Sequence, residues 1–200
     1  MRFCRFEILK AEVFWASRRH FFHKNSTRPI FILGTGRSGT HFLAQTLIDH
    51  PAIDDMMAGQ ENPFVFGLAT RCALCASPSR LITRLTRRYR ALLNACRHEN
   101  FVDQSHPNIW HAEDLLSSFP NSKFIWIVRN PYSVVHSALE HPGVLEWVRT
   151  WEEYDLPSRF LGIPDIKYAD QYAEMSNIER CSVRWAAHLI RGLELKSKLG

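Results

Sequence analysis

Residues 29–47 read PIFILGTGRSGTHFLAQTL. The first five are a short apolar run of β-formers, and they feed straight into Gly34-Thr35-Gly36-Arg37-Ser38-Gly39-Thr40. Beyond that loop Phe42, Leu43, Thr46 and Leu47 recur at i, i+1, i+4 and i+5, one face of a helix. Strand, glycine-rich loop and helix make a phosphate cradle: the glycines let backbone N–H groups converge on an anion, and the helix start adds the positive end of its dipole. A Walker loop would close on Gly-Lys-Ser/Thr. Here Thr40 follows Gly39 directly, and the cation, Arg37, comes two residues before that glycine.

Working outward, residues 123–128 (KFIWIV) form an unalternating apolar run, the pattern of a strand buried in a parallel sheet. Arg129 stands at its carboxyl end, Asn130 is suited to cap the next helix and Pro131 to open it. A weaker strand, residues 100–103 (NFVD), runs into Gln104-Ser105-His106-Pro107, with a helix expected over 109–118. Leu81, Ile82, Leu85, Leu92 and Leu93 mark a long helix over 78–95, and Val183, Trp185, Ala186, Leu189 and Ile190 mark a last one starting near Ser176. Strands alternating with helices predict an α/β fold, a three-layer arrangement with a central parallel sheet flanked by helices. Ligands of such sheets sit at the carboxyl ends of the strands. The Arg37 loop, the segment 104–107 and Arg129 are therefore expected to converge. The organisation expected is an N-terminal helical arm over 1–28 and one domain over 29–200.

The chain has 200 residues, enough for one sizeable core, with 46% hydrophobic and 22% charged residues, an ordinary globular balance. A net charge of +5 and a pI near 9.1 favour an anionic ligand. Arg80, Arg84, Arg87, Arg88 and Arg90 cluster on one helix while the other basic residues scatter. That pattern reads as a solvated arginine face and argues against a nucleic-acid partner. No apolar run approaches the roughly 18 residues of a membrane span. Residues 1–24 mix basic residues with Phe3, Phe6, Phe14, Trp15, Phe21 and Phe22 and lack a continuous apolar segment. The expectation is a cytoplasmic protein with at most peripheral membrane contact.

Five cysteines, an odd number, argue against a closed disulfide framework. Cys72 and Cys75 followed by Cys96 and His98 could supply four zinc ligands. The helix expected between the two pairs is about 27 Å long at 1.5 Å per residue and would hold them apart. Reduced, buried thiols and no metal are therefore expected.

At these residues the chain resembles the sulfotransferases that use 3′-phosphoadenosine-5′-phosphosulfate (PAPS), of bacterial type or a similar branch. The family's first motif, G-x-x-[RK]-S-G-T, is matched by residues 34–40, with His41 next. Its second, a strand ending in Arg-[ND]-Pro with a serine eight residues after the arginine, is matched by Arg129, Asn130, Pro131 and Ser137. The resemblance covers roughly residues 29–139. It implies a P-loop-like fold and transfer of a sulfuryl group from PAPS to a hydroxyl acceptor such as a carbohydrate or a lipid, without a metal. It further implies that Gly34, Gly36, Arg37, Ser38, Gly39, Thr40 and His41 hold the 5′-phosphosulfate, and that Arg129 and Ser137 hold the 3′-phosphate.

An acceptor hydroxyl must lose its proton as it attacks sulfur, and His or Glu can take it. His106, in Gln-Ser-His-Pro and 23 residues before Arg129, is similar to the catalytic histidine of the cytosolic enzymes. Gln104 stands where those enzymes have a lysine. Glu61 stands where tyrosylprotein and several bacterial sulfotransferases place a glutamate. The catalytic set implied is Arg37 with His106, Glu61 or both. The resemblance also implies a further strand and a basic loop after the last helix, and the sequence given reaches Gly200 without them. A non-catalytic PAPS- or nucleotide-binding protein is thus the alternative. A P-loop kinase, with Asp103 holding magnesium, is the third reading.

Overall fold

Four parallel strands, β1 (Arg28–Leu33), β2 (Ile53–Asp54), β3 (Asn100–Asp103) and β4 (Lys123–Trp126), form one sheet in the order β2-β3-β1-β4. Flanking it are α1 (Thr40–Ile48), α2 (Phe66–Ala73), α3 (Ser79–Ala95), α4 (Ala112–Ser118), α5 (Pro131–Leu139), α6 (Pro142–Arg149), α7 (Ala169–Glu174) and α8 (Asn177–Leu199). The computed structural model describes residues 27–199. The helical arm expected over 1–28 lies outside the described residues except at its last two positions, and Arg28 already belongs to β1.

Successive side chains of a strand point to opposite faces, and β1 buries both. Phe31 and Leu33, with Phe101 of β3, pack against Leu68 of α2, Leu85, Tyr89 and Leu92 of α3, and Leu115 of α4. Ile32 and Val102 pack on the other side against Ala44, Leu43 and Leu47 of α1. Helices therefore cover both faces, and the expected three-layer α/β architecture is present. Each fully buried Phe or Ile of this kind contributes on the order of 2–3 kcal/mol.

β4 departs from expectation. It is shorter than 123–128 and half-buried, with Lys123 exposed. Among the described residues it stands at the sheet's edge, so its apolar run does not report burial on both sides. Its pairing extends through Ile127, whose N–H donates to the Leu33 carbonyl at 2.9 Å. The helix expected over 109–118 divides into a 3-10 turn, His106–Trp110, and α4. Pro107 lies in the first turn of the former, where a missing N–H does no harm. The last helix begins with a reciprocal cap: Ser176 N–H and Oγ donate to Glu179 (2.8 and 2.7 Å), and Glu179 N–H reaches back to Ser176 Oγ (3.4 Å).

The arginine-rich helix α3 turns Leu85, Tyr89 and Leu92 inward and leaves Arg80, Arg84, Arg87 and Arg90 exposed. Arg88 bends back, donating to the Phe64 carbonyl at 2.6 Å with its guanidinium over the Phe64 ring, and the Arg90 guanidinium lies over the Phe119 ring at 5.8 Å. Cys72, Cys75, Cys96 and Cys181 carry free thiols. Burial pushes Cys72 up to about 12. Among the described residues no helix is long and apolar enough to cross a membrane.

Candidate active site

The loop after β1 is shaped by close approach. A Cβ on Gly34 would stand 2.8 Å from the Ile127 carbonyl, so only glycine lets β1 and the end of β4 run this close. Gly39, at φ 99°, turns the chain into α1 in the left-handed region that glycine tolerates. No side chain caps the first turn of α1 and no acid sits in it, which leaves the positive helix end to an external anion. Arg37 also adopts positive φ, 76°. This loop carries the expected Gly36, Arg37, Gly39, Thr40 and His41 along one edge of a cleft of about 560 Å³, whereas Gly34 and Ser38 do not line it. Ser38 and Thr40 are buried, and Ser38 N–H closes the loop on the Thr35 carbonyl at 3.1 Å.

The second motif meets the first. Asn130 Oδ1 accepts from the N–H groups of Tyr132 and Ser133, as a cap should, and so starts α5 with Ser137 on its second turn. Arg37 Nε donates to Ser137 Oγ at 3.0 Å, and Arg129 Nη1 donates to the Arg37 carbonyl at 3.2 Å. Residues about a hundred positions apart thus form one cationic corner beside the helix start. Arg37 and Arg129 are both exposed and able to receive an anion.

Glu61 faces them from a loop held by Asx turns. Asp55 accepts from Met57 N–H and Gly59 N–H (2.8 and 2.6 Å), and Asn62 Oδ1 accepts from Phe64 N–H (3.0 Å). Met56, Ala58 and Gly59 all take positive φ, so the loop doubles back and presents Gln60 and Glu61 to the cleft. Burial raises the Glu61 carboxyl to about 7, the Asp103 charge adds to the rise, and Arg37 opposes it. A carboxyl that is half ionised near neutrality can accept a proton and release it.

His106 behaves differently. It is buried against the loop, where a Cβ on Gly36 would lie 3.0 Å from its Cε1 and Nε2. Arg184 Nη2 stands 3.3 Å from His106 Nε2. Arginine can only donate, so Nε2 accepts and the ring carries its proton on Nδ1. Burial first, and Arg184 second, hold His106 well below the usual histidine range. Its one lone pair is taken. Arg184 is itself 2% exposed, lies over the rings of Phe160 (4.7 Å) and Trp147 (5.4 Å), and leaves its Nε without a partner. Beyond it His188 Nε2 accepts from Trp110 Nε1 at 3.2 Å, and its Nδ1 meets the Arg184 carbonyl at 2.8 Å.

Asp103 is buried rather than displayed. Its oxygens accept from Tyr89 Oη, Ser105 N–H, Ser105 Oγ and Asn108 Nδ2 at 2.9–3.1 Å, and it does not line the cleft. Gln104, also buried, donates to the Gly59 carbonyl and so braces the Glu61 loop. The opposite wall comes from α6 and its start: His141, Gly143, Val144, Glu146 and Trp147. Burial and the Arg37 charge lower both His41 and His141. Of the aromatic residues 147, 151 and 154, Trp147 lines the cleft while Trp151 is core. His136 points outward to Glu140, and Asp165, Tyr168 and Asp170 do not line the cleft. Arg184 and Phe66 each read in the sequence as an ordinary residue of an amphipathic helix, and Phe42, expected on the apolar face of α1, is exposed and lines the cleft.

A model described as the sulfotransferase family matches residues 79–176, just under half of the chain, consistent with a sulfotransferase family member. The matched span includes His106, Arg129 and Ser137, while residues 34–40 and Glu61 precede it. Neither the curated proteins nor the solved structures supplied a match.

Proposed function

We propose that this chain, consistent in its central span with the sulfotransferase family, transfers a sulfuryl group from PAPS to a hydroxyl acceptor. The observation that carries the reading is the cationic corner: Arg37, Ser137 and Arg129 are joined by hydrogen bonds beside an uncapped helix start. A donor with phosphate groups at both ends of its ribose needs two anion sites on one sheet edge, and this corner offers them. When bound, PAPS supplies the sulfuryl group and the phosphate that leaves from it.

The residues of this chain then divide the work. The N–H groups of the 36–40 loop and the α1 dipole hold the 5′ end. The Arg37 bond to Ser137 uses only its Nε, so its terminal amino groups remain for the phosphosulfate, where negative charge grows as transfer proceeds. Arg129 and Ser137 take the 3′-phosphate. Glu61 is the general base: it lines the same cleft and titrates near neutrality. His106 cannot take the acceptor's proton while Arg184 occupies its Nε2, and it serves as a positioning residue packed on Gly36. The four hydrogen bonds that Asp103 accepts weigh against the kinase reading.

Calorimetry with 3′-phosphoadenosine-5′-phosphate tests the donor site on wild type and Arg129→Ala. Metal-independent binding, weakened roughly tenfold or more by the substitution, is expected from the loss of charge-assisted phosphate contacts. Binding that ignores Arg129, or a preference for magnesium-ATP, overturns the proposal.

A further inference from the structure

Outside the residues that line the cleft, three potential ligands meet where the chain enters β3. Asp54 ends the edge strand β2, and Cys96 and His98 belong to the connection between α3 and β3. Asp54, Cys96 and His98 each offer one donor atom, and these atoms lie within 4.8 Å of one another. Asp54 Oδ2 and His98 Nδ1 are 3.4 Å apart. Ligand atoms on a tetrahedral zinc ion stand about 3.3–3.8 Å apart, given bonds of roughly 2.0–2.3 Å. One pair is therefore already at that spacing, and the thiol is within a side-chain adjustment of it.

A second observation points the same way. His98 Nδ1 is buried and makes no hydrogen bond, its contact with Asp54 Oδ2 at 3.4 Å being an ion pair only when the ring is protonated, so the neutral ring keeps hydrogen-bonding capacity there unused. The surrounding backbone is pinned. Thr27 Oγ1 donates to the His98 carbonyl at 3.0 Å, Asn100 N–H and Nδ2 donate to the Ala52 carbonyl, and Asp54 Oδ1 accepts from Met56 N–H, leaving Oδ2 for the cluster.

We propose that Asp54, Cys96 and His98 form a zinc-type cation site that ties β2 to the start of β3. One thiolate, one imidazole and one carboxylate suit zinc and not the all-oxygen preference of magnesium or calcium. The side chains of His98 and Asp54 are 42% and 31% exposed, which admits the ion and a water as fourth ligand. Binding replaces the Cys96 thiol proton with the metal–sulfur bond and releases that proton to solvent. The site joins the carboxyl end of β2 to the amino end of β3 and none of its ligands lines the cleft, so its role is to brace the sheet. The sequence pairing of Cys72 and Cys75 with Cys96 and His98 thus gives way to a different third partner, Asp54.

The test titrates cobalt(II), then zinc, into the reduced, chelator-washed full chain. One cobalt per chain should bind with a thiolate-to-cobalt charge-transfer band in the near ultraviolet, and zinc should displace it. Cys96→Ser should abolish the band. The half-exposed His98→Gln, which spares the core, should weaken binding at least tenfold, and Cys72→Ser/Cys75→Ser should leave it unchanged. Zinc should raise the unfolding temperature of wild type and not of His98→Gln. The absence of a stoichiometric band, its survival in Cys96→Ser, or its loss in Cys72→Ser/Cys75→Ser overturns the proposal.

Discussion

Replacing Glu61 with Gln separates the base proposed here from its rival. Burial, then the Asp103 charge, raises the Glu61 carboxyl from 4.5 to about 7. At about 1.4 kcal/mol per pH unit, ionising it in the fold costs at most about 3.5 kcal/mol more than in the unfolded chain. The ionised fraction is then about half at pH 7, roughly a tenth at pH 6 and roughly a hundredth at pH 5. The rate of sulfuryl transfer should climb about tenfold per pH unit and level off above pH 7. Folding obeys the same numbers with a definite sign. A folded-state pKa above the unfolded value means the neutral carboxyl favours the fold. That contribution is complete below about pH 4.5 and lost as the pH rises through 7. Glu61→Gln should therefore flatten this part of the stability profile while lowering kcat by roughly 10²–10⁴. The product nucleotide should bind as before. Initial rates across pH 5–9 and urea midpoints at pH 5 and pH 8 read both effects. A variant within about fivefold of wild type, or an acid limb near pH 7 that survives Glu61→Gln and vanishes in His106→Asn, would refute the reasoning and give the proton to His106.

Further outcomes follow from packing and buried charge. Gly34→Ala places a Cβ 2.8 Å from the Ile127 carbonyl and should cost about 1–3 kcal/mol in urea unfolding; an unchanged midpoint contradicts the close approach. Burial pulls Arg184 from 12.5 down to about 10, so carrying its charge costs about 3 kcal/mol. Arg184→Met should consequently be neutral or more stable, and should raise the His106 pKa while burial still holds it below the usual histidine range. Nitrogen-15 spectra of the histidine rings would show His106 fixed as the Nδ1–H form in wild type, and titrating behaviour in wild type contradicts the assignment.

Much of the fold was legible because its signals are local. The loop of residues 34–40 needs its glycines for a backbone reason, and the flanking periodicities name a strand and a helix within a few residues. Asn130 capping α5 and the arginine face of α3 follow equally from spacings of three and four. Misreadings arose where neighbours decide. An apolar run does not say whether its strand is central or at an edge, so β4 was expected buried and is half-buried. Residues 109–118 carry helical periodicity, but Pro107 and the hydrogen bonds around Asp103 impose a 3-10 turn first.

The candidate site divides along the same line. Residue types at the ends of the two apolar strands made Arg37 and Arg129 anion-binding candidates, since a planar guanidinium recognises phosphate wherever it is placed, and the family resemblance added Ser137. The same resemblance limited the base to His106 or Glu61. The preference for Glu61 proposed above rests on Arg184, 78 residues beyond His106, because a lone pair is available or taken according to what stands three ångströms away. Likewise only tertiary structure set Asp54 beside Cys96 and His98 and wrapped Glu61 in enough protein to lift its pKa. Local sequence dictates backbone conformation and chemical type, whereas desolvation, charge proximity and hydrogen-bond partnership depend on distances that only the folded chain creates.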